Sequence, residues 1–100
     1  MNWTITMHKL FTDEEHTIPF ECGQVVYYAH KKRQWKKNSK WVLTKSTIVG
    51  VWATYAYGVT LENGTEICCV NFDELFTERE KAIEFCIKKN THAKVKIYGE

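Results

Sequence analysis

Tyr57-Gly-Val-Thr-Leu-Glu-Asn-Gly-Thr-Glu-Ile-Cys-Cys-Val70 is the stretch on which the fold turns. Asn63-Gly64 is the dipeptide that a two-residue type I′ turn requires, because both of its central residues need positive φ. The flanking residues then form a hairpin. With that loop Leu61 faces Glu66, Val59 faces Cys68 and Tyr57 faces Val70, while Thr60–Ile67 and Gly58–Cys69 occupy the other side. The first set carries more apolar bulk and is expected to face the core.

Upstream, strand signals recur. Asn2 to His8 alternates, with Trp3, Ile5 and Met7 on one face, which is the period-two signature of a strand. Thr12-Asp-Glu-Glu-His16 reads as a polar turn, and Pro19 restricts Thr17 to Glu21 to an edge or a connection. Gln24 to His30 is rich in the β-branched and aromatic residues that strands favour. Lys40 to Lys45 and Ser46 to Thr54 resume strand character, with Gly50 as a bulge or bend.

Downstream, Thr77-Glu-Arg-Glu80 has the form of a capping box, which predicts a helix from Glu78 to about Lys89. Ala82, Ile83, Cys86 and Ile87 make its apolar stripe, with Phe85 at the margin. Lys88 and Lys89 suit the negative end of the helix, and Asn90 suits a left-handed closing residue. Ala93 to Tyr98 alternates again and reads as a last strand. The fold class is therefore α+β and mostly β, one domain over residues 1–100, with a single helix in the C-terminal half and a final strand.

The 100 residues can bury about 60–65% of the unfolded surface. Fourteen aromatic residues against five glycines and one proline exclude a disordered chain. Cys22, Cys68, Cys69 and Cys86 show no close-spaced pair of the kind a zinc site uses, so they are expected to be free packing residues in a reducing compartment, without metal or disulfide. The first residues lack a signal-peptide pattern and no apolar run is long enough to cross a bilayer, which points to the cytoplasm.

Catalytic signals are weak. His8, His16, His30 and His92 stand beside no serine or cysteine in a nucleophile motif, Glu14 and Glu15 read as a solvated pair, and no phosphate-cradling glycine loop is present. No catalytic residue, cofactor or small-molecule substrate is expected.

Charge is the strongest functional signal. Between Cys22 and Leu61 stand seven lysines and arginines and no acid, giving +7, whereas the other sixty residues carry seven bases and twelve acids, giving −5. Six of the seven cations fall within Ala29-His-Lys-Lys-Arg-Gln-Trp-Lys-Lys-Asn-Ser-Lys-Trp41. Lys31 to Ser39 is expected to be a nine-residue connection between paired strands. Its bland reading is a solvated tip. The functional reading makes Lys31, Lys32, Arg33, Trp35, Lys36, Lys37 and Lys40 a binding surface for nucleic acid, with cations on phosphates and Trp35 stacking on a base. The bipolar charge suits a protein partner as well, so an inhibitor or adaptor docking on a host nuclease or defence complex is the alternative.

One set of motifs carries a resemblance. Gly23 precedes Val25-Val-Tyr-Tyr28, Ile48-Val-Gly-Val51 follows, a hairpin closes on Asn63-Gly64, and Leu75-Phe-Thr-Glu-Arg-Glu-Lys-Ala82 ends the pattern. Over about Phe20 to Asn90 this resembles small SH3-like barrel proteins of uncharacterised phage and mobile-element origin. Gln24 stands where those proteins often carry an acid, and the loop after Tyr28 is longer and more basic. The resemblance implies a partly open antiparallel SH3-like barrel and a phage-encoded origin, and it assigns no catalytic residue.

Overall fold

The computed structural model describes residues 3–8, 13–91 and 94–100, with side chains described from Thr17 onward. Asn2 of the first expected strand, Thr12 of the expected turn and Ala93 of the last strand lie outside the described residues, as does the side chain of Trp3. The strands are β1 (Trp3–His8), β2 (Asp13–Ile18), β3 (Val25–Lys31), β4 (Trp41–Ala53), β5 (Tyr57–Leu61), β6 (Glu66–Cys68), β7 (Leu75–Phe76) and β8 (Ile97–Tyr98). A short 3₁₀ helix covers Cys69–Glu74, and the helix α1 spans Arg79–Asn90. The protein is mostly β, mainly antiparallel, with this α-helix and open sheet edges. No described helix is long and apolar enough to cross a membrane.

The chain divides into two compact units, residues 1–24 with 47–72, and residues 25–46 with 73–100. β4 is one continuous strand, where the sequence suggested two, and it supplies one half to each unit.

In the first unit β1 pairs antiparallel with β2, from Trp3↔Ile18 to His8↔Asp13. The run Asp13 to His16, expected to turn, is strand because β1 provides its ladder. A polar segment needs a partner strand for its backbone groups, not an apolar face. β2 stops at Ile18, directly before Pro19, which has no N–H to give a ladder. The strands β6, β5 and β4 form an antiparallel meander, with the register shifting between Ile48 and Gly50 as the glycine suggested.

The hairpin exists, but one residue out of the expected register. Gly58 opposes Cys68, Val59 opposes Ile67 and Thr60 opposes Glu66. Three residues close it, not two: the Leu61 N–H donates to the Thr65 carbonyl at 2.8 Å, and the Gly64 N–H donates back to the Leu61 carbonyl at 2.8 Å. Gly64 alone in the turn has positive φ, at 89°. Asn63 uses its side chain instead, its Oδ1 accepting from the Thr65 N–H at 3.0 Å. A one-residue slip exchanges the faces of a strand. Ile67 is therefore fully buried with Val59 and Leu61, whereas Val70 is 77% exposed. Close strand approach at Gly58 leaves no room for a Cβ, which would strike the Ile67 carbonyl and the Trp52 ring. Phe72 meets Phe20 and Tyr57 edge-on, with ring centroids 5.5 and 6.2 Å away.

In the second unit the strand order is β4, β3, β7, with β3 and β7 antiparallel and β8 lying parallel to β4 through Leu43↔Ile97 and Thr44↔Tyr98. Its core gathers Tyr27, Ala29, Leu43, Ala82 and Cys86, flanked by Trp41, Phe76, Ile83, Phe85, Val95 and Ile97. Burial pushes the Cys86 thiol up to about 11. Cys22, expected as a packing residue, is exposed in the turn before Gly23, while Cys68 and Cys69 are half-buried.

α1 begins one residue later than expected and without the capping box. Glu78 occupies the cap position in extended conformation with no side-chain cap bond. The Glu80 carboxylate meets the Arg79 guanidinium at 3.2 Å, and Arg79 in turn grips Glu100 at 2.7 Å. At the other end Thr91, not Asn90, adopts the left-handed closing conformation, its N–H donating to the Ile87 carbonyl. Asn90 is engaged elsewhere.

Candidate nucleic-acid interface

The connection between β3 and β4 starts from sequence with no apolar residue except Trp35. Such a segment has nothing to bury, so its order comes from backbone bonds. The Lys32 N–H donates to the Lys40 carbonyl at 2.8 Å and closes the base of the loop. Two consecutive turns follow, Lys36 N–H to Arg33 carbonyl at 3.0 Å and Ser39 N–H to Lys36 carbonyl at 3.2 Å. The Ser39 hydroxyl accepts from the Arg33 N–H at 2.8 Å and ties the two turns together. Residues 32–38 are all exposed.

Trp35 is 77% exposed, and the Lys36 ammonium lies 5.4 Å from its ring centroid. Among the described residues the ion pairs are Arg79–Glu80, Arg79–Glu100 and Lys81–Glu78, and no loop cation enters one. Of the residues singled out from the sequence, Lys32, Arg33, Trp35, Lys36 and Lys37 are exposed in the loop and Lys40 is exposed just before β4. Lys31 differs: it is the last residue of β3 and half-buried.

A cleft of about 350 Å³ opens beside the loop, lined by Lys37, Asn38, Ser39, Lys40 and Trp41 from one side and Lys89, Asn90 and Thr91 from the end of α1. It brings Lys37 and Lys40 together and leaves Lys31, Lys32, Arg33 and Lys36 outside its lining. Lys89 joins the group although it stands far away in sequence. Its ammonium sits 5.6 Å from the Trp41 ring centroid and 5.4 Å from that of Phe85, two rings that meet edge-on at 5.6 Å. The Lys88-Lys89 pair was visible in the sequence, but its dipole role explained it without a site.

Asn90 fixes the back of the cleft. Its Oδ1 accepts from the Trp41 N–H at 2.6 Å, and its Nδ2 donates to the Trp41 carbonyl at 2.8 Å. The carboxamide pairs with the first residue of β4 as a neighbouring strand would. Loop base, strand start and helix end are thereby held as one piece.

Of the other candidate residues, Cys22 is exposed, His92 and the side chains of His8, Glu14, Glu15 and His16 lie outside the described residues, and His30 is committed to structure. His30 lies 2.9 Å through Nδ1 from the Lys31 carbonyl and 2.8 Å through Nε2 from the Thr44 hydroxyl. A carbonyl only accepts, so Nδ1 carries a proton, and in the neutral ring Nε2 accepts from Thr44. The ring also stacks on Tyr28 at 5.1 Å. Among the described residues no group of three His, Cys, Asp or Glu side chains is placed to hold a metal ion.

No known family model, curated protein or solved structure matches this chain.

Proposed function

We propose that the protein is a non-enzymatic binding module whose basic loop, residues 31–40, makes weak, sequence-tolerant contacts with nucleic acid. The observation that carries this is Trp35, 77% exposed on a backbone-ordered loop whose cations enter no ion pair among the described residues. An exposed indole contributes nothing to a core, whereas stacking on a base is worth ~1–3 kcal/mol. Lysine and arginine side chains without carboxylate partners are available to phosphates. In the same proposal the strands form a partly open SH3-like barrel of phage-encoded origin, acting in the cytosol; the motifs over about Phe20 to Asn90 and the β4–β5–β6 meander support that reading.

A salt series with a fluorescent oligonucleotide tests it. Three to five phosphate contacts give a slope of log affinity against log salt of roughly −2 to −4.5. Replacing Lys36 and Lys37 together by glutamine flattens it by about 1.4 to 1.8 units, while Trp35→Ala weakens binding and leaves the slope nearly unchanged. Absence of binding at low salt overturns the proposal. The charge split of +7 inside Cys22–Leu61 and −5 outside suits equally a second reading, an inhibitor or adaptor that docks on a host nuclease or defence complex. That reading predicts one defined protein recovered in a pull-down and lost with Trp35→Ala.

A further inference from the structure

We infer that the cleft between the basic loop and the end of α1 seats one phosphate of a single-stranded nucleic acid, with Lys37, Lys40 and Lys89 as its cationic ligands. This rests on the nucleic-acid reading of the loop and names both the strand form and a residue outside the loop.

Charge selects the class of ligand. Three lysines and no carboxylate line the cleft, together with Asn38, Ser39, Trp41, Asn90 and Thr91. The opposing factor is the negative end of α1, which finishes there. A helix terminus carries roughly half an elementary charge, so three ammonium groups outweigh it. The Thr91 N–H, donating to the Ile87 carbonyl, further satisfies one of the terminal acceptors.

Geometry favours an ordered site over a diffuse patch. The Lys89 ammonium rests against the Trp41 and Phe85 rings, and the Asn90–Trp41 pair fixes the wall behind it. A ligand there meets lysines from two segments already held together, which lowers the ordering cost of binding.

Size and the neighbouring tryptophan select the single strand. A space of about 350 Å³ suits a nucleotide-sized group and lies at the small end of ligand pockets. Trp35 precedes Lys37 by two residues, so their Cα atoms lie no more than about 7 Å apart, a spacing on the scale of adjacent nucleotides, and its ring is exposed. Duplex DNA presents phosphates but keeps its bases stacked, and extruding one costs free energy.

The experiment uses the full chain, a fluorescent twelve-residue oligothymidine and a hairpin duplex with the same number of phosphates, each followed by anisotropy against salt. Each phosphate contact with a single strand contributes about 0.7 to the slope, so losing one weakens binding about fivefold at 0.1 M salt. Lys40→Gln and Lys89→Gln combined are expected to lose that one contact, with the fivefold loss and a slope smaller by about 0.7, and each alone to show a measurable part of it, with unchanged circular dichroism. Lys81→Gln, on the same helix but outside the cleft, controls for net charge and is expected to change affinity less than twofold. The duplex is expected to bind at least tenfold more weakly than the single strand.

Wild-type affinity in both Lys89→Gln and Lys40→Gln overturns the phosphate seat, and equal binding of the duplex overturns the strand preference. Either result with binding still dependent on Trp35 and Lys36 leaves the loop reading standing. Failure of the wild-type protein to bind either oligonucleotide overturns both.

Discussion

Two hairpin connections in this protein use their residues in opposite ways. Between β5 and β6, Glu62-Asn63-Gly64 spends its distinctive groups on its own backbone: the Asn63 side chain caps the Thr65 N–H, and Gly64 supplies the positive φ. Between β3 and β4, residues 32–40 are ordered by main-chain bonds and the Ser39 hydroxyl, and the side chains of Lys32, Arg33, Trp35, Lys36 and Lys37 remain exposed. A turn whose side chains are consumed by the turn is architecture. A loop ordered mainly by its backbone leaves its cations and its indole exposed.

Stability measurements break or sharpen that contrast. The largest effect is expected beneath the first hairpin. Ile67→Asp sets an unpaired carboxylate among Val59 and Leu61, both fully buried, and urea denaturation is expected to show a loss of several kcal/mol, on the order of 3 or more, or no folded first unit at all. Retention of wild-type stability would mean that the observed register is wrong. In the turn itself, Gly64→Ala puts a Cβ on a residue with φ of 89°, and the expected loss is about 1–2 kcal/mol. The smallest effect belongs to the other loop. Trp35→Ala is expected to shift unfolding by no more than about 0.5 kcal/mol, because an indole that is 77% exposed holds little together. A loss comparable to that of Gly64→Ala would reclassify Trp35 as structural.

How much of this was legible differs from element to element. β3, β5 and α1 were readable because their apolar periodicity coincides with what the fold buries, as at Val59, Leu61, Ala82 and Cys86. The hairpin register was not. Asn-Gly satisfies a two-residue loop with two positive φ angles, and equally a three-residue loop in which only the glycine is left-handed. What decides between them is burial of Ile67 over Cys68, a tertiary preference that no local signal carries. β2 was missed for a related reason, since the strand state of Asp13 to His16 comes from β1 and not from its own residues.

The candidate site divides along the same line. Charge density marked the loop, where six cations fall within Ala29 to Trp41. The cleft required three-dimensional proximity. Lys89 and Asn90 already had adequate local explanations at the end of a helix, and only the paired bonds from Asn90 to Trp41 bring them to the loop. Thr77-Glu-Arg-Glu80 shows the reverse error, a motif with the right letters whose glutamate is engaged by Arg79 instead.

The Asn90 carboxamide also makes the cleft sensitive to a change of one functional group. It works because it presents one acceptor and one donor to the two backbone groups of Trp41. Hydrolytic loss of its ammonia, equivalent to Asn90→Asp, would replace the donor with an acceptor facing the Trp41 carbonyl and would place a carboxylate beside Lys37, Lys40 and Lys89. A single chemical event, with no change of fold required, would thus loosen the wall of the cleft and install in it an anion that competes for the same ammonium groups.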